Sequence, residues 1–298
     1  MNFEYIAQQL INGLILGSLY ALVAVGFSMI YGIIRLINFA HGEIIMIGAF
    51  TTLGLLSTLG LPFWLVIPAV ILVCAGTGII IEKAAFRPMR GAPQVTGFIA
   101  SLGVSIMLQN LGILLLTAQP RNFSIPAYAQ KTVKIGSVTC QLIDIVIIIT
   151  APLFMVMLMV IVNKTRLGRG MRATAENLDV ARLMGVNVNR TIALTFAFGA
   201  GLAGFAGLMW GGKFGQIDPL MGFVPGLKSF IAAVIGGVGS IPGAILGSYL
   251  LGMAEIWFVG FLPPVYSSYR DAFVFGLLII VLLILPNGLL GKNIEERA

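Results

Sequence analysis

Long stretches without a single charged residue divide this chain, and they constrain its fold more than any other feature. Thirty uncharged residues separate Glu4 from Arg35, and 38 separate Glu43 from Glu82. Since about 20 apolar residues form a helix that crosses a bilayer, the second interval has room for two crossings joined by a turn at residues 60–62. Hydrophobic residues make up 58% of the chain and charged residues only 10%, whereas roughly a quarter of a soluble domain is charged. The sequence therefore predicts an all-α integral membrane protein.

The remaining intervals predict the rest of a polytopic transmembrane bundle, with residues 1–298 forming one domain. Further uncharged stretches cover residues 91–120, 145–163, 191–212, 229–254 and 272–291. The fourth is interrupted by glycines and a proline between Gly236 and Gly243, and backbone at membrane depth leaves the helix only where protein or water satisfies it. We expect a broken or re-entrant helix there. The count is nine spans if both halves cross and eight if they form a single crossing.

Lys and Arg are distributed unevenly among the predicted loops, which indicates the orientation. If residues 163–190 are cytoplasmic, twelve of the 18 Lys and Arg lie on that side, including Arg35 and the C-terminal Lys292 and Arg297. This arrangement puts the N-terminus outside, the C-terminus in the cytoplasm and residues 118–141 in the main outside loop, and it favours nine spans. The basic residues lie at the ends of apolar runs and not on one face with aromatic residues between them, so they indicate topology and not nucleic-acid binding.

Residues 163–190 form the most charged predicted loop, with six basic and two acidic side chains. A short helix is predicted from Ala173 to Met184, with Gly185 ending it. Its apolar stripe consists of Val180, Leu183 and Met184, and its acid–base pair of Asp179 and Arg182. Because a helix of this length is unstable alone in water, we expect it to be held between two spans and docked against a soluble partner.

Two nucleotide-binding patterns occur in this sequence, and neither has the required context. Gly199, Gly201 and Gly204 match G-x-G-x-x-G but lie within an apolar run, whereas a dinucleotide site needs them between a strand and a helix. Close packing of helices through small residues explains them better. A P-loop pattern ending at Lys213 has Phe214 where a Ser or Thr would bind Mg²⁺. The sequence therefore predicts no ATP site, no cofactor and no catalytic centre of its own.

A polar motif at the start of the second predicted span contains the only histidine. Asn38, His41 and Glu43 lie within six residues of one another. They could form a proton relay or ligate a metal, but a metal site needs three or four ligands and none cluster nearby. We therefore favour a structural or interfacial role, with polar groups capping the helix start. Asp144 and Glu255 lie close to predicted span ends, where they would reach water; if buried, they would instead indicate a pathway.

Five segments, taken together and in order, resemble one known family over nearly the whole chain. Residues 179–185 (DVARLMG) are similar to the E-A-A-x-x-x-G signature of permease subunits in bacterial ATP-binding-cassette importers, with Asp179 replacing the glutamate and Val180 the first alanine. The other segments are residues 36–43 (LINFAHGE), 175–177 (AEN), 236–243 (GGVGSIPG) and 285–289 (LPNGL). The set resembles the LivH-type permease of high-affinity branched-chain amino-acid importers.

The resemblance implies a transport subunit of the bacterial inner membrane with several partners. Importers of this family pair this subunit with a second, similar permease, two cytoplasmic ATPase subunits and a periplasmic protein that captures leucine, isoleucine or valine. The helix in residues 163–190 would then be the coupling helix, with an amphipathic helix on lipid head groups as the alternative. The residues that the resemblance assigns to coupling are Glu176, Asp179, Ala181, Arg182, Leu183, Met184 and Gly185.

The expected pathway and the competing functions follow from the same segments. Discontinuous helices lie where substrate passes in many transporters, so the break is our first candidate for lining the path, with close helix packing as the alternative. Its candidate residues are Gly236, Gly237, Gly239, Ser240 and Pro242. A stand-alone secondary transporter or channel would need ionisable residues well inside the spans, and the sequence places almost none there. An intramembrane enzyme would need a convergent catalytic group, and none is found.

Overall fold

A computed structural model describes residues 3–126, 129–136 and 138–291, which form a bundle of helices. The helices are α1 (Phe3–Ile34), α2 (Ala40–Ser57), α3 (Phe63–Ile81), α4 (Gln94–Leu116), α5 (Leu142–Lys164), α6 (Arg166–Glu176), α7 (Leu178–Leu183), α8 (Val188–Phe214), α9 (Phe223–Gly236), α10 (Ile241–Phe261) and α11 (Arg270–Ile284). A π-helical turn (Glu82–Phe86) extends α3, and a 3-10 helix (Pro264–Tyr269) precedes α11. The short strands β1 (Arg121–Asn122) and β4 (Gln216–Ile217) pair antiparallel, as do β2 (Thr132–Ile135) and β3 (Val138–Gln141).

Eight helices in the described ranges are long and apolar enough to cross a membrane. They are α1 to α5, α8, α10 and α11, with α3 and α11 extended by the short turns that adjoin them. The 14-residue α9 is about 21 Å long, which is less than the roughly 30 Å thickness of the hydrocarbon core. The predicted break is confirmed, because α9 ends at Gly236, residues 237–240 are not helical, and α10 begins at Ile241.

One end of the bundle carries the N-terminal part of α1 and the loop of residues 118–141. The side-chain amide of Gln8 in α1 donates to the Thr139 carbonyl, and its oxygen accepts from the Thr139 N–H. Strand β1 in the same loop pairs with β4, which follows the last turn of α8. The N-terminal helix end and the predicted outside loop therefore lie on one side of the bundle.

The opposite end carries the charged loop and the end of the described chain. The last turns of α1 and helix α6 line a common cleft there, and the N–H groups of Leu289 and Leu290 donate to the carbonyls of Ile235 and Gly236 at the end of α9. Within the described residues, the eight long helices and the shorter α9 run alternately between the two ends of the bundle, and residue 291 lies on the side of residues 163–190. That this side is cytoplasmic stays a prediction, and Lys292 and Arg297 lie outside the described residues.

Glycines allow α8 to approach two neighbouring helices, α1 and α3, at the centre of the bundle. A side chain at Gly199 would lie 3.2 Å from the Cα of Gly26 in α1, one at Gly201 would lie 3.2 Å from Ile71 in α3, and one at Gly204 would collide with Cys74 in α3. All three glycines lie inside α8 and are buried. The prediction that they serve helix packing is confirmed.

Replacing Gly48 by Ala is expected to lower the stability of the bundle by about 1–3 kcal/mol, because it overpacks a filled interface. A Cβ at Gly48 in α2 would lie 2.6 Å from the Cα of Gly204 in α8, and neither backbone can move without shifting its helix. Gly54→Ala is the matched control on the same helix, since no atom lies within 4 Å of its Cβ position. Thermal unfolding in detergent tests this: equal melting temperatures for the two variants would contradict it.

Candidate functional site

The charged loop contains two short helices where the sequence predicts one. The expected helix from Ala173 to Met184 is wrong as a single unit, because α6 ends at Glu176 and α7 begins at Leu178. Between them, Asn177 is extended at φ −155° and ψ 120°. Its side-chain oxygen accepts hydrogen bonds from the N–H groups of Asp179 and Val180 at 2.9 and 3.1 Å. Asn is favoured at the N-cap of a helix and disfavoured in a helix interior. Asn177 therefore ends α6 and caps α7.

The tip of this loop exposes apolar side chains among charges. The side chains of Leu183 and Met184 are 86% and 79% exposed. The predicted pair of Asp179 and Arg182 forms, with 3.1 Å between Asp179 Oδ1 and Arg182 Nη1. Gly185, at φ +81°, follows α7 in the left-handed conformation that favours glycine. The tip has the composition of a protein-docking surface, with an apolar centre and a charged surround.

The other predicted coupling residues divide between the surface and the interior. Glu176 is exposed at the end of α6. Ala181, in contrast, is buried, so it holds α7 against the bundle and adds nothing to the exposed surface. Met171 and Thr174 of α6 are also buried. The loop is therefore attached firmly by one face while its other face is free.

Neighbouring segments brace the loop from the side. Asn187 caps α8 by accepting from the N–H of Arg190 at 3.0 Å. Arg90, in the segment between α3 and α4, donates to the side chain of Asn189 at 2.5 Å and pairs with the buried Glu82. A force on the loop would consequently reach α3, α5 and α8 together.

The break between α9 and α10 lies beside this loop. Ser240 caps α10 by accepting from the N–H of Gly243 at 3.2 Å. Gly239 and Ile241 line a cleft of about 110 Å³ with the end of α1 and with Met171, Arg172 and Ala175 of α6. The break and the charged loop thus share one cleft at the same end of the bundle.

The predicted pathway residues differ in their accessibility. Gly236 and Gly237 are buried, since a side chain on Gly236 would strike Gly243 and one on Gly237 would strike Gly291. Gly239 and Pro242 are exposed, and Ser240 is half-buried. Close packing of helices accounts for Gly236 and close packing of two non-helical segments for Gly237, and pathway lining stays a prediction for the other three.

The polar motif does not form one site. The ring of His41 lies against Phe27 of α1, with centroids 4.8 Å apart. Glu43 faces α4, where its Oε1 accepts from Ser105 and Gln109 at 2.8 Å each. Each residue of an α-helix is rotated by about 100° from the one before it, so two residues correspond to about 200°. The side chains of His41 and Glu43 therefore point to different sides of α2. Among the described residues, no three His, Cys, Asp or Glu side chains lie close enough to hold a metal ion.

The capping role that we favoured for this motif is wrong. Phe39 occupies the N-cap of α2, and no side chain caps it. Asn38 is buried just before the helix. A side chain on Gly26 would collide with the His41 ring, and Gly26 precedes the end of α1 by eight residues, or about 12 Å. Helix α2 therefore begins inside the bundle, where its first N–H groups lie away from the surface.

A buried charge network joins α9, α10 and α11, and the sequence did not predict it. Glu255 is completely buried, so of the two alternatives that the sequence offers, reaching water or lying buried, the structure shows the second. Lys228 Nζ lies 2.6 Å from Glu255 Oε1 and 2.7 Å from Asp271 Oδ1. Arg270 Nε lies 2.9 Å from the same Glu255 oxygen, and the Tyr20 hydroxyl donates to its other oxygen at 2.9 Å. The expectation of almost no ionisable groups inside the spans is wrong.

Asp144 is buried as well, so the structure shows the second alternative for this residue too. Its Oδ1 lies 2.6 Å from the Nζ of Lys213 near the end of α8, and its Oδ2 accepts from the Gln141 N–H at 3.0 Å. This pair ties the start of α5 to the end of α8. The arrangement is structural, because it joins two helix ends at the side of the outer loop.

A polytopic helical bundle with an interrupted helix, buried charges and an attached but exposed charged loop defines a membrane transport subunit. Comparison with known proteins identifies the family of this chain. The chain belongs to the family described as branched-chain amino acid transport system / permease component, whose model matches residues 9–282.

Relatives of known name match over almost their full length. The chain is 40% identical to the high-affinity branched-chain amino acid transport system permease protein LivH of Escherichia coli K12, with 99% of each chain covered. It is 43% identical to the permease protein BraD of the corresponding system of Pseudomonas aeruginosa, with 97% of each covered. The fold is similar to that of a chain in the solved structure of PsaBC from Streptococcus pneumoniae in complex with Fab, with a TM-score of 0.51, 15% identity, and 96% and 94% of the two chains covered.

Proposed function

We propose that this chain is the inner-membrane permease of an ATP-binding-cassette importer for leucine, isoleucine and valine. It has no ATP site of its own in this proposal, and two cytoplasmic ATPase subunits drive it. The names of LivH and BraD support the substrate class. The observation that carries the ATPase contact is the exposed pair Leu183 and Met184 at the tip of a charged loop that is otherwise attached to the bundle.

The loop is built to transmit a displacement. Closure of the ATPases can move the permease only through a contact that differs between two states. Glu176, Asp179 and Arg182 supply polar contacts in this proposal, and Leu183 and Met184 supply the apolar anchor. Buried Ala181 passes the displacement to the bundle.

We place the inward end of the pathway at the break between α9 and α10. Helix α6 forms one wall of the cleft that Gly239 lines, so a displacement of the loop would change the width of that cleft. Ser240 and Pro242 are the other accessible candidates on this segment. This arrangement would connect ATPase closure to opening on the cytoplasmic side without a long relay.

The remaining partners follow from the same architecture. A second, similar permease would pack beside this one, and a periplasmic binding protein would deliver the amino acid at the end that carries residues 118–141. Specificity at entry would then rest largely with the binding protein.

Uptake by proteoliposomes tests the proposal against a secondary transporter, for which buried Glu43, Lys228 and Glu255 would be the ion-coupling candidates. Both permeases and both ATPases are reconstituted together, and labelled leucine is supplied on the loaded binding protein. We expect uptake only with ATP at the ATPase side. Uptake driven by an ion gradient in vesicles without ATPases would overturn the proposal.

A further inference from the structure

One of four buried carboxylates in the described part of the chain lacks a cationic partner. Three of them pair: Glu82 with Arg90, Asp144 with Lys213, and Glu255 with Lys228 and Arg270. Glu43 is completely buried, and only its Oε1 is satisfied, by the neutral side chains of Ser105 and Gln109. Its Oε2 has no partner among the described residues. An unpaired carboxylate oxygen away from water is costly to keep, so it points to a ligand.

The unpaired oxygen lies at the depth where transport sites are found. Ser105, which donates to Glu43, is the twelfth of the 23 residues of α4, about 17 Å from either helix end. Binding sites of membrane transporters lie near the bilayer midplane. Glu43 lies in the first turn of α2, where the helix dipole favours a negative charge. The dipole does not supply a hydrogen-bond donor for Oε2.

Helix α4 covers Glu43 on the side where Ser105 and Gln109 contact it. The opposite face of α4 exposes the apolar side chains of Ile106, Met107 and Leu111 together with the amide of Asn110, which hydrogen-bonds the Ile106 carbonyl of its own helix. Gln109, half-buried, lies between this face and Glu43. Asn110 is the seventeenth of the 23 residues of α4, about 9 Å from the end of the helix, and an exposed amide at this depth is unsuited to lipid tails. The face of α4 is better suited to a polar, protein-lined path.

We propose that Glu43, positioned by Ser105 and Gln109, binds the α-ammonium group of the amino-acid substrate as it passes along α4. This inference rests on the proposed import function and assigns the substrate site. An ammonium group carries three donors and one positive charge, which match the free carboxylate oxygen. The substrate class is therefore an α-amino acid with a free ammonium group.

Glu43→Gln in the complete importer tests this assignment, since it removes the charge and keeps the size. We expect ATP-driven leucine uptake to fall at least tenfold, while ATP hydrolysis stimulated by the loaded binding protein stays within twofold of the unmodified complex. Glu43→Asp should retain more uptake because it keeps the carboxylate. Ser101→Ala is the matched control: Ser101 is buried one turn from Ser105 on the same face of α4 and bonds only the Phe98 carbonyl.

Unchanged uptake by the Glu43→Gln complex would overturn the assignment of Glu43. The proposed function would stand, because it rests on ATP-driven import by the unmodified complex.

If the Glu43→Gln variant fails to assemble, thiol labelling of an Asn110→Cys variant that keeps Glu43 decides. We expect a cationic methanethiosulfonate to react about tenfold faster than an anionic one, because a negative charge attracts the cation, and loaded binding protein to slow both. No reaction in any nucleotide state, or equal rates, would overturn the site. Cys74 and Cys140 are buried, and burial raises the pKa of the Cys140 thiol, so background labelling is low.

Discussion

ATP-driven leucine uptake is expected to fall at least a hundredfold when Leu183 and Met184 are both replaced by Asp. Two apolar anchors at the centre of a protein interface each contribute about 2 kcal/mol or more, and about 4 kcal/mol corresponds to a roughly thousandfold weaker complex. Neither side chain packs inside this chain, since both are almost fully exposed. The variant should therefore fold and reach the membrane, and it should lose the ATPases during co-purification.

The control for this prediction is Leu59→Asp, which places a charge at another exposed apolar position, in the turn between α2 and α3. That turn lies away from the charged loop, so ATPases should co-purify normally with this variant. Retention of the ATPases by the double Asp variant of Leu183 and Met184 would contradict the docking surface. Loss of the ATPases from both variants would show a general effect of surface charge.

Replacing Lys228 by Met is expected to lower the free energy of unfolding by about 3 kcal/mol. Removing one partner of a buried ion pair leaves the other charge uncompensated, which costs about 3–5 kcal/mol, and Arg270 would still reach Glu255. Lys228 is buried and contacts both Glu255 and Asp271, so α11 would lose its attachment to α9. Thermal unfolding in detergent measures the loss.

A double variant separates the lost pair from other effects of the substitution. Glu255→Gln combined with Lys228→Met removes both buried charges, and we expect it to be more stable than Lys228→Met alone. Arg270→Met should cost less than Lys228→Met, because Arg270 is about half exposed and its ion pair is screened by solvent. Strictly additive effects of the two substitutions would contradict a coupled pair.

The positions of the spans could be predicted because charge and glycine content are local properties. Uncharged intervals marked the eight long helices, and the glycines from 236 to 243 marked the break. The two helices of the charged loop were missed because the apolar stripe of Val180, Leu183 and Met184 lies entirely after Asn177 and gives no sign of a break there. The signal for the interruption is the side chain of Asn177, whose oxygen accepts hydrogen bonds from the backbone N–H groups of Asp179 and Val180.

The contacts inside the bundle could not be predicted, because their partners are distant in sequence. Lys228 looked like a span boundary, but its partners come from α10 and α11. The spacing of His41 and Glu43 suggested one site, yet the turn of α2 directs them to different helices. The unpaired Glu43 oxygen became visible only when Ser105 and Gln109 were placed beside it.

Labelling of Met184→Cys in membrane vesicles of known sidedness tests the central claim, that ATPases act on the tip of the charged loop from the cytoplasm. A membrane-impermeant thiol reagent should label inside-out vesicles stripped of ATPases, and it should label neither right-side-out vesicles nor inside-out vesicles that retain the ATPases. Labelling of right-side-out vesicles would place the tip in the outer compartment and contradict the account.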